Sequence, residues 1–208
     1  MVKVSQAELV AGAIANKPVS FPTDTVPALA IKPECGDRLY QLKQRPSNKP
    51  LILMGASIVD LLPFITYTSE ELDIWQRLIS KHLPGALTLV LPASAQVPGV
   101  INPTQSNTIG IRVPDNRIAR QILQQTGVLA TTSANISGAD ALTSMTAISE
   151  TFLDVLVLED ENLEKADKVG SGLPSTVICW QDRQWKTCLL YTSPSPRDLS
   201  TSRMPSSA

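Results

Sequence analysis

The sequence is poor in the residues that most often mark catalytic or metal sites. Its 208 residues include one histidine, His82, and three cysteines, Cys35, Cys179 and Cys188. A lone histidine close to a proline argues against a Ser/His/Asp triad. The cysteines have no paired spacing, which argues against a disulfide framework and against a zinc site. We therefore expect no protein-held metal and a reducing compartment.

Aromatic residues, long apolar runs and net charge are also scarce. Aromatic residues make up 4% of the chain, so the core must be built mainly from aliphatic side chains. No apolar run approaches the ~20 residues of a membrane span, and residues 1–10 resemble the start of an amphipathic helix rather than a signal peptide. We expect a cytoplasmic protein without membrane contact. The net charge of −1 gives no broad basic field, so contact with nucleic acid would depend on a local patch.

The aliphatic residues alternate between helical and strand patterns along the chain. Ser5 and Glu8 form a capping box for a first helix, Asp37–Lys43 has helical spacing, and Asp115 is positioned to cap a helix that runs to Gln125. Strands are predicted at residues 18–21, 28–31, 50–54, 86–91, 108–113, 128–131, 155–158 and 175–180. Interleaved elements without a repeat or linker predict an α/β fold, in which one domain over residues 1–187 forms a twisted mixed parallel and antiparallel sheet flanked by helices.

The last 21 residues differ from the rest of the chain. Hydrophobic periodicity stops at Cys188, and serine, threonine and proline dominate as in a disordered tail. The letters CLLYTSPSPRD and SRMPSSA also resemble a translated sequencing-library adapter. We interpret residues 188–208 as a non-native or disordered tail and exclude them from fold reasoning. Without that segment the net charge is −2.

Three short polar stretches interrupt the apolar chain, and each borders a predicted strand or helix. They are Pro22–Val26, Lys43–Pro46 and Thr131–Asn135. Open α/β sheets bind ligands beyond the carboxyl ends of their strands, so the fold can bring the cations, hydroxyls and amide of these stretches to one rim. Such a rim suits a nucleotide phosphate. Turn formation or helix capping is the structural alternative for each stretch.

The second stretch carries a cluster of positive charge. Lys43, Arg45 and Lys49 lie close together with only Asp37 nearby, and a combination of arginine and lysine suits a polyphosphate. A solvated helix end is the alternative, because cations are favoured at a helix C-terminus anyway. Arg112 lies inside a strand pattern, where an unpaired guanidinium is costly, so we expect a bound carboxylate or an internal acid beside it.

Other motifs narrow the chemistry. The chain has no GxxxxGK[ST] motif, which excludes a P-loop enzyme, and the glycines of residues 170–176 precede a strand, where they indicate a turn. No acidic cluster has the spacing of a two-metal site. Asp24 is a candidate general base or metal ligand, with turn formation as the simpler role. Positioning and electrostatic stabilisation by basic and hydroxyl groups remain, and these largely catalyse phosphoryl and nucleotidyl transfer.

Seven motifs taken together resemble the Sua5/YrdC/TsaC family over Gln6 to Val177. They are PTDTV, the K-x-R of Lys43 and Arg45, KPLIL, LPGALTLVLP, IRVP, TSAN-x-SG and SG-x-PSTV. The resemblance implies the short, single-domain form of a YrdC-like fold. It also implies an L-threonylcarbamoyladenylate synthase, which joins L-threonine, bicarbonate and ATP, with Mg2+, into threonylcarbamoyl-AMP and releases pyrophosphate. The product would pass to the threonylcarbamoyl transferase that completes the t6A37 modification of tRNA.

The resemblance assigns roles by position. It implies a catalytic tetrad of Lys43, Arg45, Ser133 and Asn135, and no metal ligand. The residues implied to bind ATP are Arg45, Lys49, Thr108 and Ser133. The residues implied to bind L-threonine are Thr23, Arg112 and Thr131, with Arg112 on the amino-acid carboxylate.

Four positions depart from the family pattern. Pro27 and Ala28 stand where tyrosine and glycine are usual, Met54 stands in place of a histidine, and Ala141 in place of a serine. We expect these substitutions to alter the amino-acid side of the site more than the phosphate side. Two alternatives to the synthase therefore stay open: a module that binds tRNA or double-stranded RNA, and a paralogue with a different acceptor substrate.

Overall fold

The computed structural model describes residues 3–46, 49–103, 107–160 and 169–189 of the chain. In this part of the chain, ten strands form one sheet in the order β1-β8-β2-β3-β7-β4-β6-β5-β9-β10. The strands are β1 (Lys3–Val4), β2 (Val19–Phe21), β3 (Ala28–Ile31), β4 (Ile52–Met54), β5 (Leu87–Pro92), β6 (Thr108–Arg112), β7 (Leu129–Ser133), β8 (Leu156–Leu158), β9 (Thr176–Gln181) and β10 (Gln184–Leu189).

The sheet mixes parallel and antiparallel pairs, as the sequence predicts. Strands β4 and β6 are parallel, as are β5 and β9, whereas β7 is antiparallel to both of its neighbours, β3 and β4. Strand β7 is thus a late segment of the chain inserted between two early ones. Its insertion places the third polar stretch in the middle of the sheet.

Six α-helices accompany the described strands. They are α1 (Gln6–Ile14), α2 (Asp37–Lys43), α3 (Ile58–Leu61), α4 (Ser69–His82), α5 (Arg117–Thr126) and α6 (Met145–Thr151). Helix α1 packs on α5 and on strands β2 and β8, while α2 packs on β3. None of the helices in the described ranges has both the length and the apolar character needed to cross a membrane.

Local hydrogen bonds explain where the helices begin, and they correct one predicted cap. Ser5 and Glu8 form the reciprocal capping box predicted for α1. The cap of α5 is Asn116 rather than Asp115, because the Asn116 side chain accepts from the Ala119 amide at 2.9 Å. Residues 3–4, predicted to begin a helix, instead form the edge strand β1, which pairs in parallel with β8.

The β9–β10 hairpin corrects the prediction for the cysteines. Cys179 of β9 and Cys188 of β10 are joined as a disulfide, with their Cα atoms 6.3 Å apart. The two cysteines are separated along the chain, so their spacing does not predict a pair. They come together because β10 folds back on β9, with a register shift between Thr187 and Leu189. The prediction of no disulfide is therefore wrong.

The same hairpin carries the described structure past the predicted domain boundary. Strand β10 continues to Leu189, two residues beyond Thr187. The assignment of residues 188–208 to a non-native or disordered tail stays a prediction. Residues 190–208 lie outside the described ranges.

A short segment that we call the glycine strap, residues 169–172, crosses the first polar stretch. The Ser171 amide donates to the Asp24 carbonyl at 3.0 Å and the Gly172 amide to the Thr25 carbonyl at 2.7 Å. Gly170 has φ +71°, and a Cβ atom there would lie 2.5 Å from the Thr25 oxygen and 2.6 Å from that of Thr23. Only glycine fits against this backbone, so the strap holds the first polar stretch in one conformation.

We expect Gly170→Ala to destabilise the protein more than Gly138→Ala does. Both glycines have positive φ, but a Cβ atom at Gly138 meets nothing within 4 Å. Gly138→Ala should therefore cost only backbone strain of about 1–2 kcal/mol. Gly170→Ala adds the backbone clash and should cost roughly 2 kcal/mol more. Urea unfolding of both variants measures the difference, and equal losses would show that the strap moves aside freely.

Candidate functional site

The three polar stretches predicted to share a rim do meet in the structure. The Ala134 amide donates to the Pro27 carbonyl at 3.1 Å, which joins the third stretch to the end of the first. The Ser137 amide donates to the Lys43 carbonyl at 2.9 Å, which joins the loop after the third stretch to the second. Backbone hydrogen bonds therefore fix the relative positions of all three.

Lys43 lies at the centre of this meeting point and is buried. Its side chain is 1% exposed, at the last residue of α2, and Gln44 ends the helix in the left-handed conformation. Lys43 Nζ donates to Thr132 Oγ1 at 3.2 Å, to Asn135 Oδ1 at 2.9 Å and to the Ser133 carbonyl. All of these acceptors are neutral oxygens. A solvated helix end is thus the wrong interpretation for Lys43.

The loop after β7 orients the oxygens that face Lys43. Asn135 Nδ2 donates to the carbonyls of Ile136 at 3.0 Å and Ala139 at 2.7 Å, so Oδ1 must face the opposite way. That oxygen accepts from Lys43 and, at 2.6 Å, from Ser133 Oγ. Three of the four predicted tetrad residues therefore form one hydrogen-bonded cluster.

The buried ammonium of Lys43 has an altered proton affinity. Burial, and secondly the positive charge of Arg45, lower the pKa of Lys43 from 10.5 to about 7. Among the described residues, no carboxylate contacts Lys43 to oppose this effect. A buried cation without a counter-ion is unstable in its charged form, so this place in the fold favours a bound anion.

Arg45, the fourth tetrad residue, borders the same place from the loop after α2. Its guanidinium donates from Nε to the Lys49 carbonyl and from NH2 to the Pro50 carbonyl, both at 3.1 Å. These bonds hold the half-buried guanidinium in one orientation. The Lys49 side chain is exposed, so the structure leaves it at the outer edge of the cluster.

Arg112 forms a second charged centre, on β6. It is 4% exposed, and each guanidinium nitrogen has an acceptor within the protein. Nε donates to the Gly85 carbonyl at 3.3 Å, NH1 to Thr25 Oγ1 at 2.8 Å, and NH2 to Asp24 Oδ1 at 2.6 Å. The sequence predicts either a bound carboxylate or an internal acid beside Arg112, and the structure shows the internal acid, Asp24. The two buried charges stabilise each other, and removal of one partner from such a pair typically costs about 3–5 kcal/mol.

Thr131, which is predicted to bind L-threonine, lies on the same face of the sheet as Arg112. Thr131 pairs with Ile52, which in turn pairs with Gly110, so strand alternation turns Thr131, Gly110 and Arg112 to the same face. Thr131 Oγ1 is buried and has no hydrogen-bond partner in the described structure. A buried hydroxyl without a partner is costly, so a ligand with a polar group would satisfy it.

Thr23 and Thr108, the other threonine residues predicted to contact a substrate, lie in the first polar stretch and at the start of β6. Thr23 is 1% exposed, and its hydroxyl donates to the Val26 carbonyl at 2.6 Å, so it fixes the first polar stretch. Thr108 begins β6 and is half-buried, two and four residues from Gly110 and Arg112 on the same face. No described hydrogen bond joins the Lys43 cluster to the Arg112 centre. The structure therefore contains two neighbouring charged centres.

Sequence reasoning missed several residues of these centres. Thr132 was given no role of its own, yet its hydroxyl accepts from Lys43. Asp24 was given turn formation as its simpler role, although its carboxylate is the partner of Arg112. The signal for Asp24 was present, because an arginine in a strand pattern requires an acid and Asp24 is the only acid of the three stretches.

The departures from the family pattern lie on both sides of the site. Met54 is 2% exposed and pairs with Arg112 across the β4–β6 ladder, so an apolar side chain is the neighbour of the guanidinium. Pro27 is buried at the end of the first polar stretch. Ala141 lies beyond the loop that orients Asn135, just before Leu142, whose amide donates to Ala134.

The described side chains offer no metal site. No three His, Cys, Asp or Glu residues among them come together as ligands. A Mg2+ ion prefers oxygen ligands, especially carboxylates and phosphates. The oxygens around Lys43 already accept from a cation, so they are poor ligands for Mg2+.

The chain is similar to a known family and to a solved structure. The Sua5/YciO/YrdC family profile, described as telomere recombination, matches residues 14–189. A threonylcarbamoyl-AMP synthase of Hydrogenovibrio crunogenus is 31% identical over 177 residues, which are 81% of this chain and 88% of the relative. A threonylcarbamoyl-AMP synthase of Pyrococcus abyssi is 34% identical over 167 residues, which are 78% of this chain and 47% of the relative.

The crystal structure of P. abyssi Sua5 complexed with L-threonine has a TM-score of 0.76 and 28% identity to this chain. The match covers 89% of this chain and 55% of that one. The chain thus spans about half the length of the Pyrococcus relative. Since the family profile covers far more than half of the residues, the chain belongs to the Sua5/YciO/YrdC family.

Proposed function

We propose that the protein synthesises threonylcarbamoyl-AMP from ATP, bicarbonate and L-threonine and releases pyrophosphate. The observation that carries this proposal is the burial of Lys43 among neutral oxygens, because a buried cation without a counter-ion suits an anionic ligand. The names of the relatives and the threonine bound to P. abyssi Sua5 supply the identity of the substrates.

In this proposal the two charged centres divide the substrates. Lys43 and Arg45 hold the phosphates of ATP, Ser133 and Asn135 orient Lys43, and Lys49 and Thr108 contact the nucleotide. Arg112, Thr131 and Thr23 surround the amino acid, with Arg112 on its carboxylate. The buried Thr131 hydroxyl supports this role, because a polar ligand would supply the partner it lacks.

The reaction needs no nucleophile from the protein. The ammonium group of threonine combines with bicarbonate to give an N-carboxylate, with loss of one water molecule and of one proton to solvent. An oxygen of this carboxylate attacks the α-phosphorus of ATP, and the bond from that phosphorus to pyrophosphate breaks. Lys43 and Arg45 stabilise the charge that collects on the leaving pyrophosphate. Mg2+ would arrive as the counter-ion of ATP, because phosphate oxygens are among its preferred ligands.

A paralogue with a different acceptor is the second candidate, favoured by one observation. Met54 beside Arg112 gives the amino-acid side of the site an apolar neighbour. Such a surface would accept an amino acid without a hydroxyl group. Cytoplasmic location, contact with tRNA or double-stranded RNA, and transfer of the product to a t6A-forming transferase stay predictions.

We expect pyrophosphate release from ATP and bicarbonate to require L-threonine. The assay compares L-threonine with L-serine, L-valine and no amino acid at equal concentration. Dependence on L-threonine supports the synthase, whereas a preference for L-valine supports the paralogue. Release that no amino acid stimulates, from folded protein, would rule out both.

We expect Lys43→Met and Arg45→Ala to lower kcat/KM by about 10²–10³-fold, the usual effect of removing one donor from a charge-stabilising site. Lys17→Ala is the matched control, because Lys17 is an exposed lysine outside the three stretches. Pyrophosphate release gives the rates, and urea unfolding tests whether the fold is retained. Full activity of either variant would show that the cations do not act on the phosphates.

We expect ATP binding to take up a proton above pH 7. Lys43 has a pKa of about 7 in the free protein, and a bound polyphosphate favours the charged ammonium and raises that pKa. The affinity for ATP should therefore be constant below pH 7 and fall as the pH rises above it. Titration calorimetry at pH 8 in two buffers of different ionisation enthalpy measures the uptake. Lys43→Met should abolish it, and equal uptake by that variant would assign the proton to another group.

A further inference from the structure

The two side chains of the Asp24–Arg112 ion pair differ in their exposure to solvent. The Arg112 side chain is 5% exposed and that of Asp24 is 15% exposed. The carboxylate is therefore the more exposed of the two groups, and a smaller part of the guanidinium is exposed beside it. Asp24 Oδ1 accepts from Arg112, and no described residue donates to Oδ2.

The pair has unused capacity for one ligand of each charge. A guanidinium carries five N–H donors, and Arg112 uses three of them, on Gly85, Thr25 and Asp24. Two donors remain for an anion, and Oδ2 of Asp24 remains for a cation. An α-amino acid carries a carboxylate and an ammonium on one carbon atom, so its two charges match those of the pair.

We propose that Asp24 binds the α-ammonium group of the amino acid while Arg112 holds its carboxylate. This assignment rests on the proposed function and adds a residue that selects for the zwitterion. The glycine strap supports it, because the Ser171 amide bonds to the Asp24 carbonyl and the Gly172 amide to that of Thr25. The backbone that carries the carboxylate is therefore held in place before the substrate arrives.

The charge at the nitrogen end of the substrate reverses during the proposed reaction, because a positive ammonium is replaced by a neutral nitrogen that carries a negative carboxylate. The ammonium and bicarbonate give an N-carboxylate, one water molecule and one proton that leaves to solvent. Asp24 attracts the positive ammonium and repels the negative carboxylate that replaces it. Lys43 and Arg45 attract that carboxylate. The change of charge would thus weaken the contact of this group with Asp24 and favour its approach to the phosphate side.

The test compares L-threonine with (R)-3-hydroxybutanoate, which keeps the carboxylate and hydroxyl but lacks the amine. Titration calorimetry measures Kd for both compounds and for ATP in the wild type, D24N, D24E and D115N. Asp115 is an exposed acid whose only described partner is Arg120 at 3.9 Å, so D115N controls for the loss of one negative charge.

We expect D24N to weaken L-threonine binding by about 10- to 100-fold, the usual effect of a lost hydrogen bond to a charged group. Its Kd for (R)-3-hydroxybutanoate and for ATP should change less than threefold, and D24E should recover part of the threonine affinity. D115N should match the wild type. Tighter or unchanged threonine binding by D24N would overturn the proposal, as would an equal loss for both compounds, which would indicate that Asp24 only positions Arg112.

Two further outcomes separate this proposal from the proposed function. If the wild type binds L-threonine but releases no pyrophosphate, the synthase activity fails and the D24N result still decides the role of Asp24. If measurements of ATP binding and urea unfolding show that D24N is unfolded, the Kd values of L-threonine and (R)-3-hydroxybutanoate for the wild type decide whether an ammonium site exists. A preference for L-threonine over (R)-3-hydroxybutanoate of tenfold or more then supports an ammonium site, and equal affinity overturns it.

Discussion

The burial of Lys43 is the constraint on which the rest of the site depends. An ammonium group that is 1% exposed must exchange its hydration for protein oxygens, and the oxygens of Thr132, Ser133 and Asn135 serve this purpose. These acceptors are neutral, so they solvate the cation without cancelling its charge. A carboxylate in their place would stabilise Lys43 better and leave it less able to bind a phosphate. Lys43 thus has no counter-ion within the described protein, and an anionic ligand would neutralise its charge.

Arg112 shows the opposite solution to the same problem. Its charge is balanced within the protein by Asp24, and the remaining contacts go to Thr25 and Gly85. This centre is stable before any ligand binds, whereas the Lys43 centre is not. The two centres differ in local charge balance and therefore suit different ligands. An anion suits the Lys43 centre. A molecule without net charge but with separated charges suits the Arg112 centre.

Short-range patterns in the sequence predict much of the fold. The capping box at Ser5, the helix at Asp37–Lys43 and the strand at Ala28–Ile31 depend on neighbours within four residues, and all are present. The errors arise where distant segments decide the outcome. Cys188 meets Cys179 only because β10 folds back on β9.

The candidate site follows the same rule. The motifs identify its residues, but the burial of Lys43 and the pairing of Arg112 with Asp24 depend on contacts between distant parts of the chain. A sequence pattern at Lys43 cannot distinguish a buried cation from a solvated helix end. The distinction is made by β7, which the chain reaches almost ninety residues later.

That insertion of β7 between β3 and β4 has a consequence for the order in which the molecule is built. Lys43 is synthesised 89 residues before Thr132, and Asp24 is separated from Arg112 by 88 residues. Contacts of such long sequence separation require a large loop to close, which costs chain entropy. Until β7 takes its place, Lys43 lacks the oxygens of Thr132 and Ser133 that replace its hydration. The capacity of Lys43 to bind an anion therefore depends on the presence of β7 between β3 and β4, and it reports that the central sheet is complete.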